Sequence, residues 1–391
     1  MATRTSTTRT TRSLREQSAD TTAASNCHAP FSFQELVQAY FDCRKSKRNS
    51  RSALLFEQNL ERNLILLRDD LLNGTYTIGK SICFVITHPK PREVWAAEFR
   101  DRIVHHLMYN RIAPHIESTF IADSCACIKG RGTLYAAQRL EHKIRSATQN
   151  WSTPQYYLKC DLANFFVSID KNIVANLILK KVIDPWWQAL TLKILRHDPR
   201  TSYMQYCSHH ALSKVPEHKR LTSQPANLGL PIGNLSSQFF ANIYLNELDQ
   251  FAKHALRAKH YIRYVDDFVI LHESAQWLNA AKAKIETFLA AHLHAKLNPT
   301  KTILQPVSRG VDFVGQVIKP WHRTTRKRTL RHAIHQVQSA PIDSLHKTAN
   351  SYFGLFRQAT HNHQARKKLA KAIFLRGKAV DKNLTKTYKA A

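Results

Sequence analysis

The chain has 391 residues, 43 % of them apolar, enough for two or three packed units with cores of their own. Lysine and arginine number 58 against 28 aspartates and glutamates, and the formal charge of +30 calls for a polyanionic partner, nucleic acid above all. No run nears roughly 18 consecutive apolar residues, which excludes a membrane-spanning helix; seven cysteines without a Cys-x-x-Cys pair exclude a zinc ribbon and a disulfide framework and point to a reducing compartment.

The first 26 residues are rich in Thr, Ser and Arg and lack an apolar core. They read against a secretory signal; an organelle transit peptide fits the composition, and a disordered basic arm over residues 1–30 is the simpler reading. Residues 53–73 place Leu60, Leu64, Leu67 and Leu71 on one helical face, with Gly74 as C-cap. A strand is expected at Ile82–Thr87, stopped by Pro89 and Pro91. Residues 97–117 read as a helix with Phe99, Ile103, Leu107, Asn110 and Arg111 in register. After a loop at Cys127–Thr133, another helix runs from Leu134 to Ala147, and Tyr156–Asp161 is a strand. Asp170 caps a helix to Lys181, and Asp184-Pro185 opens the next. Residues 197–228, rich in His, Lys, Arg and Ser, read as an exposed basic insertion. Ser236 or Ser237 is the expected cap of a long helix to about Leu256, with Phe239, Ile243 and Phe251 on its apolar face. Two strands, Tyr261–Val265 and Phe268–Leu271, flank Asp266-Asp267, and a helix from Ala275 to His292 follows. The segment after Gly315 reads as basic helices, with Arg323, Arg326, Lys327, Arg328 and Arg331 clustered at its start. Strands and helices without strict alternation predict an α+β fold.

An Asp-Asp turn alone is a structural turn, because aspartate makes its own local hydrogen bonds there. Asp161 changes that reading, since it ends an apolar strand where its side chain can project from the sheet edge. Joining nucleotides needs two divalent cations, one for the attacking 3′-hydroxyl and one for the triphosphate, held by carboxylates of neighbouring strands. Asp161, Asp266 and Asp267 meet that need if their strands pair. Three carboxylates in a groove for a polyanion would otherwise repel it.

The order of motifs from Cys83 to Gly315 resembles that of reverse transcriptases. Asp161-Leu-Ala-Asn-Phe165-Phe166 is similar to the family's first catalytic motif, and Tyr264-Val265-Asp266-Asp267 to the second. The resemblance implies metal ligation by Asp161, Asp266, Asp267 and Leu162, with two magnesium ions, or manganese, as cofactor. It makes Phe166, beside Phe165, the bulky gate that excludes a ribose 2′-hydroxyl. Lys90-Pro-Arg92-Glu-Val resembles the segment whose cations hold the incoming triphosphate, although a solvated turn after proline also fits it. Gly130-Arg131-Gly132-Thr133 is similar to a second nucleotide- or template-facing motif. Leu297-Asn-Pro-Thr-Lys301 resembles the segment that sets a lysine near the leaving group, as general acid or as phosphate contact. Val311-Asp-Phe-Val-Gly315 is similar to the primer-grip hairpin. The implied architecture is a right-hand polymerase with an arm (1–30), fingers (31–150), a palm (151–310, carrying the insertion 197–228), and a primer grip with helical thumb (311–391).

Gly229-Leu-Pro-Ile232-Gly233-Asn-Leu-Ser-Ser-Gln238 narrows the resemblance. Most reverse transcriptases carry Gln where Ile232 stands and Pro where Gln238 stands. With REVWAAEFRDRIVHH, DSCACIKGRGT, SQFFANIYLNELDQFAKH and PVSRGVDFVG, this pattern resembles the enzymes of diversity-generating retroelements, except that Cys125 stands where they often have Tyr. Such enzymes copy a template-repeat RNA with frequent errors opposite adenine, and the cDNA replaces a variable repeat. The resemblance implies substrate contacts at Ile232, Gly233 and Gln238. It also implies template RNA, an RNA/cDNA duplex, dNTPs and a small basic helical accessory variability protein as partners, in the cytoplasm of a bacterium or as a phage product. A retron-like or antiphage-defence enzyme, and a non-catalytic RNA-binding protein on a polymerase scaffold, are the alternatives.

Overall fold

The computed structural model describes residues 29–45, 47, 50–88 and 90–389; the arm expected at 1–30 lies outside them but for its last two residues. Ser32 and Glu35 cap each other's backbone at the start of the helix Phe33–Arg44. The single helix expected over 53–73 is two, Arg51–Glu57 and Leu60–Leu72. The break at Gln58-Asn59 lets Phe56 and then Leu64, Leu67 and Leu71 turn to one core. Gly74, at φ +73°, ends the second helix as expected. All three pack beside the helix Phe99–Ser118, whose Ile103, Val104 and Leu107 are buried in the same core.

The first sheet begins with β1 (Ser81–Ile86) and β2 (Arg92–Ala96), antiparallel with Ile82 opposite Ala96. β2 had no counterpart in the periodicity: it is five residues long, follows Pro91, and is buried on both faces rather than alternating. β3 (Tyr156–Asp161) lies where it was expected, and so do the helices Lys171–Lys181 and Pro185–Arg196 with their caps Asp170 and Asp184. The basic insertion is mostly exposed, yet it is stitched to the first sheet. Its β4 (Tyr203–Gln205) runs parallel to β1, and the Leu221 N–H donates to the buried Glu93 carboxylate.

The long helix is Leu235–Gln250, extended by one wider turn, Phe251–Ala255. Neither Ser236 nor Ser237 caps it; both are buried inside its first turn. Asn234 stands at the cap position with its side chain turned away, accepting from Ala97 N at 3.0 Å and donating to Trp95 O at 3.2 Å. The chain enters this helix pressed against β2, so the first turn begins earlier than the serines.

β5 (His260–Tyr264), β6 (Asp267–His272) and β7 (Ile303–Pro306) complete an antiparallel sheet ordered β5-β6-β3-β7. Alternate residues serve two cores. Leu158, Cys160, Tyr261, Phe268 and Ile270 face the core shared with the helices Leu235–Gln250 and Ala275–Leu293. Tyr157, Ile262, Val269 and Leu271 face Ala136, Leu140 and Ile144 of the helix Thr133–Ala147.

β8 (Val311–Phe313), β9 (Gln316–Lys319) and β10 (His322–Thr325) form a meander where a hairpin followed directly by helix was expected. The basic cluster divides accordingly. Arg323 is buried in β10 and paired with Glu141 at 2.8 Å, and Arg326 is held by Asp312; Lys327, Arg328 and Arg331 remain exposed. Helices Lys327–Ser339, Ile342–Arg357 and His363–Phe374 then build a core of their own from Val337, Leu345, Phe353, Phe356, Leu369 and Ile373.

Candidate active site

Pairing of β3 with β6 sets Asp161 directly opposite Asp267, and the two-residue connection Val265-Asp266 between β5 and β6 puts Asp266 beside them. Val265 has φ +55°, unfavourable for a β-branched residue, so something must hold the turn. Arg263 does. Its Nη1 donates to Val265 O at 3.0 Å, while Nε and Nη2 reach the Asp249 carboxylate at 2.7 and 2.6 Å and Nη2 also reaches Ser124 Oγ at 2.8 Å. Tyr261 donates to the same carboxylate at 2.6 Å, and all of these side chains are buried. Burial would make either charge costly alone; the fork-on-carboxylate geometry satisfies both.

Two cations face the carboxylates. Lys301 Nζ sits 2.6 and 2.7 Å from the two oxygens of Asp161, on a short turn anchored by Asn298 N donating to Asp161 O at 2.7 Å. Lys159 Nζ donates to Asp312 O at 3.0 Å and lies 3.8 Å from Asp267 Oδ2. They do not balance the site. Burial first, then the negative charges of Asp161 and Asp267, push the Asp266 carboxyl up to about 6. Burial also raises Asp267, with Asp161 adding to the effect and Lys159 opposing it. Hard carboxylate oxygens lacking positive charge are the donor set a divalent cation takes. Among the described residues no three His, Cys, Asp or Glu side chains are already gathered around a metal-sized space, Asp161 being engaged by Lys301. Leu162 is buried and bridged to Leu297, so only its carbonyl could serve as a ligand.

The loop 229–234 links this site to β2. Leu230 N donates to Phe166 O at 2.8 Å, Gly229 N to Ile169 O at 2.8 Å, and Trp95 N to Ile232 O at 2.7 Å. Gly233, at φ +126°, runs so close to β2 that a Cβ would stand 2.9 Å from Trp95 O. Phe165 is buried, its ring 5.3 Å from that of Phe166, which is half-buried. The fold thus gathers Phe166, Ile232 and Gly233 around one loop. Gln238 is exposed within the first turns of the following helix. Lys90 and Arg92 are exposed at the mouth of β2 and form no ion pair among the described residues. Arg131 Nη1 donates to Ile121 O at 2.9 Å and Ser124 O at 2.7 Å, so it braces the loop that supplies Ser124 to Arg263.

Sequence reasoning passed over Lys159, Asn298, Arg263 and Asp249. Lys159 had a signal, two positions before Asp161 and so on the same strand face. Arg263 had one too, a charge inside an apolar strand. Asp249 had none, because its partner lies in another element.

A basic α+β protein whose antiparallel sheet presents carboxylates from adjacent strands suits nucleotidyl transfer on nucleic acid. A family model described as reverse transcriptase (RNA-dependent DNA polymerase) matches residues 88–318, more than half of the chain. The chain belongs to the reverse transcriptase family and is an RNA-directed DNA polymerase, a nucleotidyltransferase. No curated protein matches it. Membership brings a nucleic-acid template and dNTPs as substrates, and a family that generally uses divalent metal ions. Among the described residues no helix is long and apolar enough to cross a membrane.

Proposed function

We propose that this enzyme makes error-prone cDNA, altered opposite adenine, from the template-repeat RNA of a diversity-generating retroelement. The polymerase site rests on one observation, the Asp161–Asp267 pairing with Asp266 in the adjoining turn. The retroelement type is supported by Ile232 and Gln238 in the loop and helix start after Gly229. In this reading residues 31–150 are fingers, 151–310 palm, and 311–391 primer grip and thumb. Asp161, Asp266 and Asp267, with the Leu162 carbonyl, hold two magnesium ions, or manganese. Bound there, the ions supply charge neutralisation and a more acidic 3′-hydroxyl.

The chain's own residues do the rest. Lys301 leaves Asp161 and meets the departing pyrophosphate as general acid or fixed charge. Lys90 and Arg92, exposed and in no ion pair among the described residues, hold the triphosphate. Phe166, backed by Phe165, leaves no room for a 2′-hydroxyl. Ile232, held by its bond to Trp95, lies against the incoming nucleotide beside Gly233 and Gln238. An isoleucine there offers no hydrogen bond, so pairing geometry is checked less strictly. The accessory variability protein is the proposed protein partner, and the cytoplasm of a bacterium, or of a phage's host, the proposed location.

The test is primer extension on an RNA template with magnesium and all four dNTPs, followed by sequencing of the cDNA. Substitutions concentrated opposite template adenines are expected. Accurate cDNA would sink the retroelement reading and leave a retron-like or antiphage-defence polymerase.

A further inference from the structure

The far end of the hairpin that carries Asp266 holds a feature the reaction does not use. β6 runs from Asp267 to His272, a span of about 17 Å at strand rise. There a groove of about 540 Å³ opens between the turn after the helix Thr133–Ala147 and the segments around 256–260 and 272–277. One side carries Arg257, Lys259 and His260, and Glu273 is the only carboxylate lining it among the described residues. Arg257 and Lys259 are exposed and form no ion pair among the described residues, whereas the nearby Lys143 and Lys253 are tied to Asp123 at 2.9 and 3.1 Å. Asp123 is shared among Arg139, Lys143 and Lys253, which leaves Arg257 and Lys259 without an ion pair among the described residues. His260 registers the excess: burial, then Lys143, Lys259 and Lys253, hold it down to about 4.

The other side is aromatic. His272 and Trp277 stack with ring centroids 4.2 Å apart and planes 14° from parallel. The Ser274 N–H donates to His272 Nδ1 at 3.0 Å, which leaves Nε2 to donate outward. The rims are held in left-handed backbone at Gln149 (φ +46°) and Arg257 (φ +51°), a conformation non-glycine residues adopt only where the surroundings impose it.

We infer that this groove binds single-stranded RNA, seating a base at the His272–Trp277 plate and the flanking phosphates on Arg257 and Lys259. Unpaired cations suit phosphate, and planar rings suit a base. Only a single strand can offer both, because a duplex keeps its bases stacked inside. RNA rather than DNA follows from family membership, since the template is RNA and the new DNA is made paired to it. The inference rests on that membership and not on the retroelement reading. Such a contact would tether the template outside the catalytic groove and raise its effective concentration there.

The experiment uses the full chain and a short RNA oligonucleotide carrying 4-thiouridine, cross-linked by light and mapped by mass spectrometry. Cross-links are expected within residues 256–260 and 272–277. The double variant Arg257→Ser/Lys259→Ser is expected to lose them and to reduce the salt slope of RNA binding by about two more than the surface control Lys180→Ser/Lys284→Ser. His272→Ala, chosen because Trp277 also packs on the core, is expected to weaken binding about tenfold. Extension of a short pre-annealed primer on RNA should be unchanged in all of these variants. Cross-links confined to other segments, with a double variant no weaker than the control, would overturn the inference. So would loss of extension on the short hybrid, which would make the groove part of the reaction, and equal labelling by a thiothymidine DNA strand, which would remove the RNA assignment.

Discussion

At Asp266 the turn presents a side chain whose ionisation its surroundings oppose, with a carboxyl held up to about 6 by burial and two like charges. Asp266→Asn keeps the shape and removes the charge. We expect cDNA synthesis to fall to background while RNA binding, measured by filter retention, is kept, because one anion fewer cannot weaken phosphate binding; near wild-type synthesis would discard the site. For Lys301→Ala we expect kcat to drop by about 10²–10⁴ with little change in KM for primer–template. A change in KM alone would make the lysine a phosphate contact only. A third outcome concerns acid stability. Burial, with His106, Arg102 and His197 adding to it, holds His105 down to about 3 from an ordinary 6.5. Below 6.5 the unfolded chain takes up a proton that the folded one refuses until about 3, so stability is lost as pH falls through that window, by up to about 1.4 kcal/mol per unit. His105→Gln should flatten this slope in urea titrations at several pH values. At this scale the three aspartates were legible, being turn and strand-end residues that interrupt apolar runs. That Arg131 also braces the loop carrying Ser124 was not, because a motif locates the chain but not the acceptor its guanidinium finds.

Elements with local signals came out close to where the sequence put them. Asp170, Asp184 and Ser274 each accept a backbone N–H at a helix start, within two or three residues in sequence. β2, β4, β7 and β10 were missed. Each is three to five residues long, and β4 exists only because Ser81 lies opposite Tyr203 across the fold. The serine cap failed for the same kind of reason, since contact of the loop 229–234 with β2 decides where the helix begins. The β5–β6 hairpin depends on one buried pair, and this gives an element-scale prediction. Arg263→Met leaves Asp249 uncompensated and should destabilise the fold by ~3–5 kcal/mol, read as a lower denaturation midpoint. Combining it with Asp249→Leu should recover part of the loss; additive losses would mean that the pair is not coupled.

Across the whole molecule, the charge of +30 is not spread evenly between inside and outside. Arg263 and Arg323 are spent in buried pairs, while Lys327, Arg328 and Arg331 stay exposed at the start of the C-terminal helices. If that face and the neighbouring surface neutralise about 6–10 phosphates, affinity for a primed template should fall by about 10³–10⁵ between roughly 50 and 200 mM salt. Fluorescence anisotropy across that range tests it, and a flat response would remove the duplex grip assigned to this region.

The sequence by itself determined the α+β class, most helices with their caps, the hairpin around Asp266 and Asp267, and the need for a polyanionic partner. These follow from periodicity, turn chemistry and net charge, which act within a few residues or on the chain as a whole. Only the tertiary structure decided that Asp267 faces Asp161, that Lys301 rests on Asp161, that Arg263 props up a strained valine turn, and that a basic, aromatic groove lies at the other end of the same hairpin. Each joins segments far apart in the chain, where sheet register and a shared low-dielectric core choose the partner and no local pattern does.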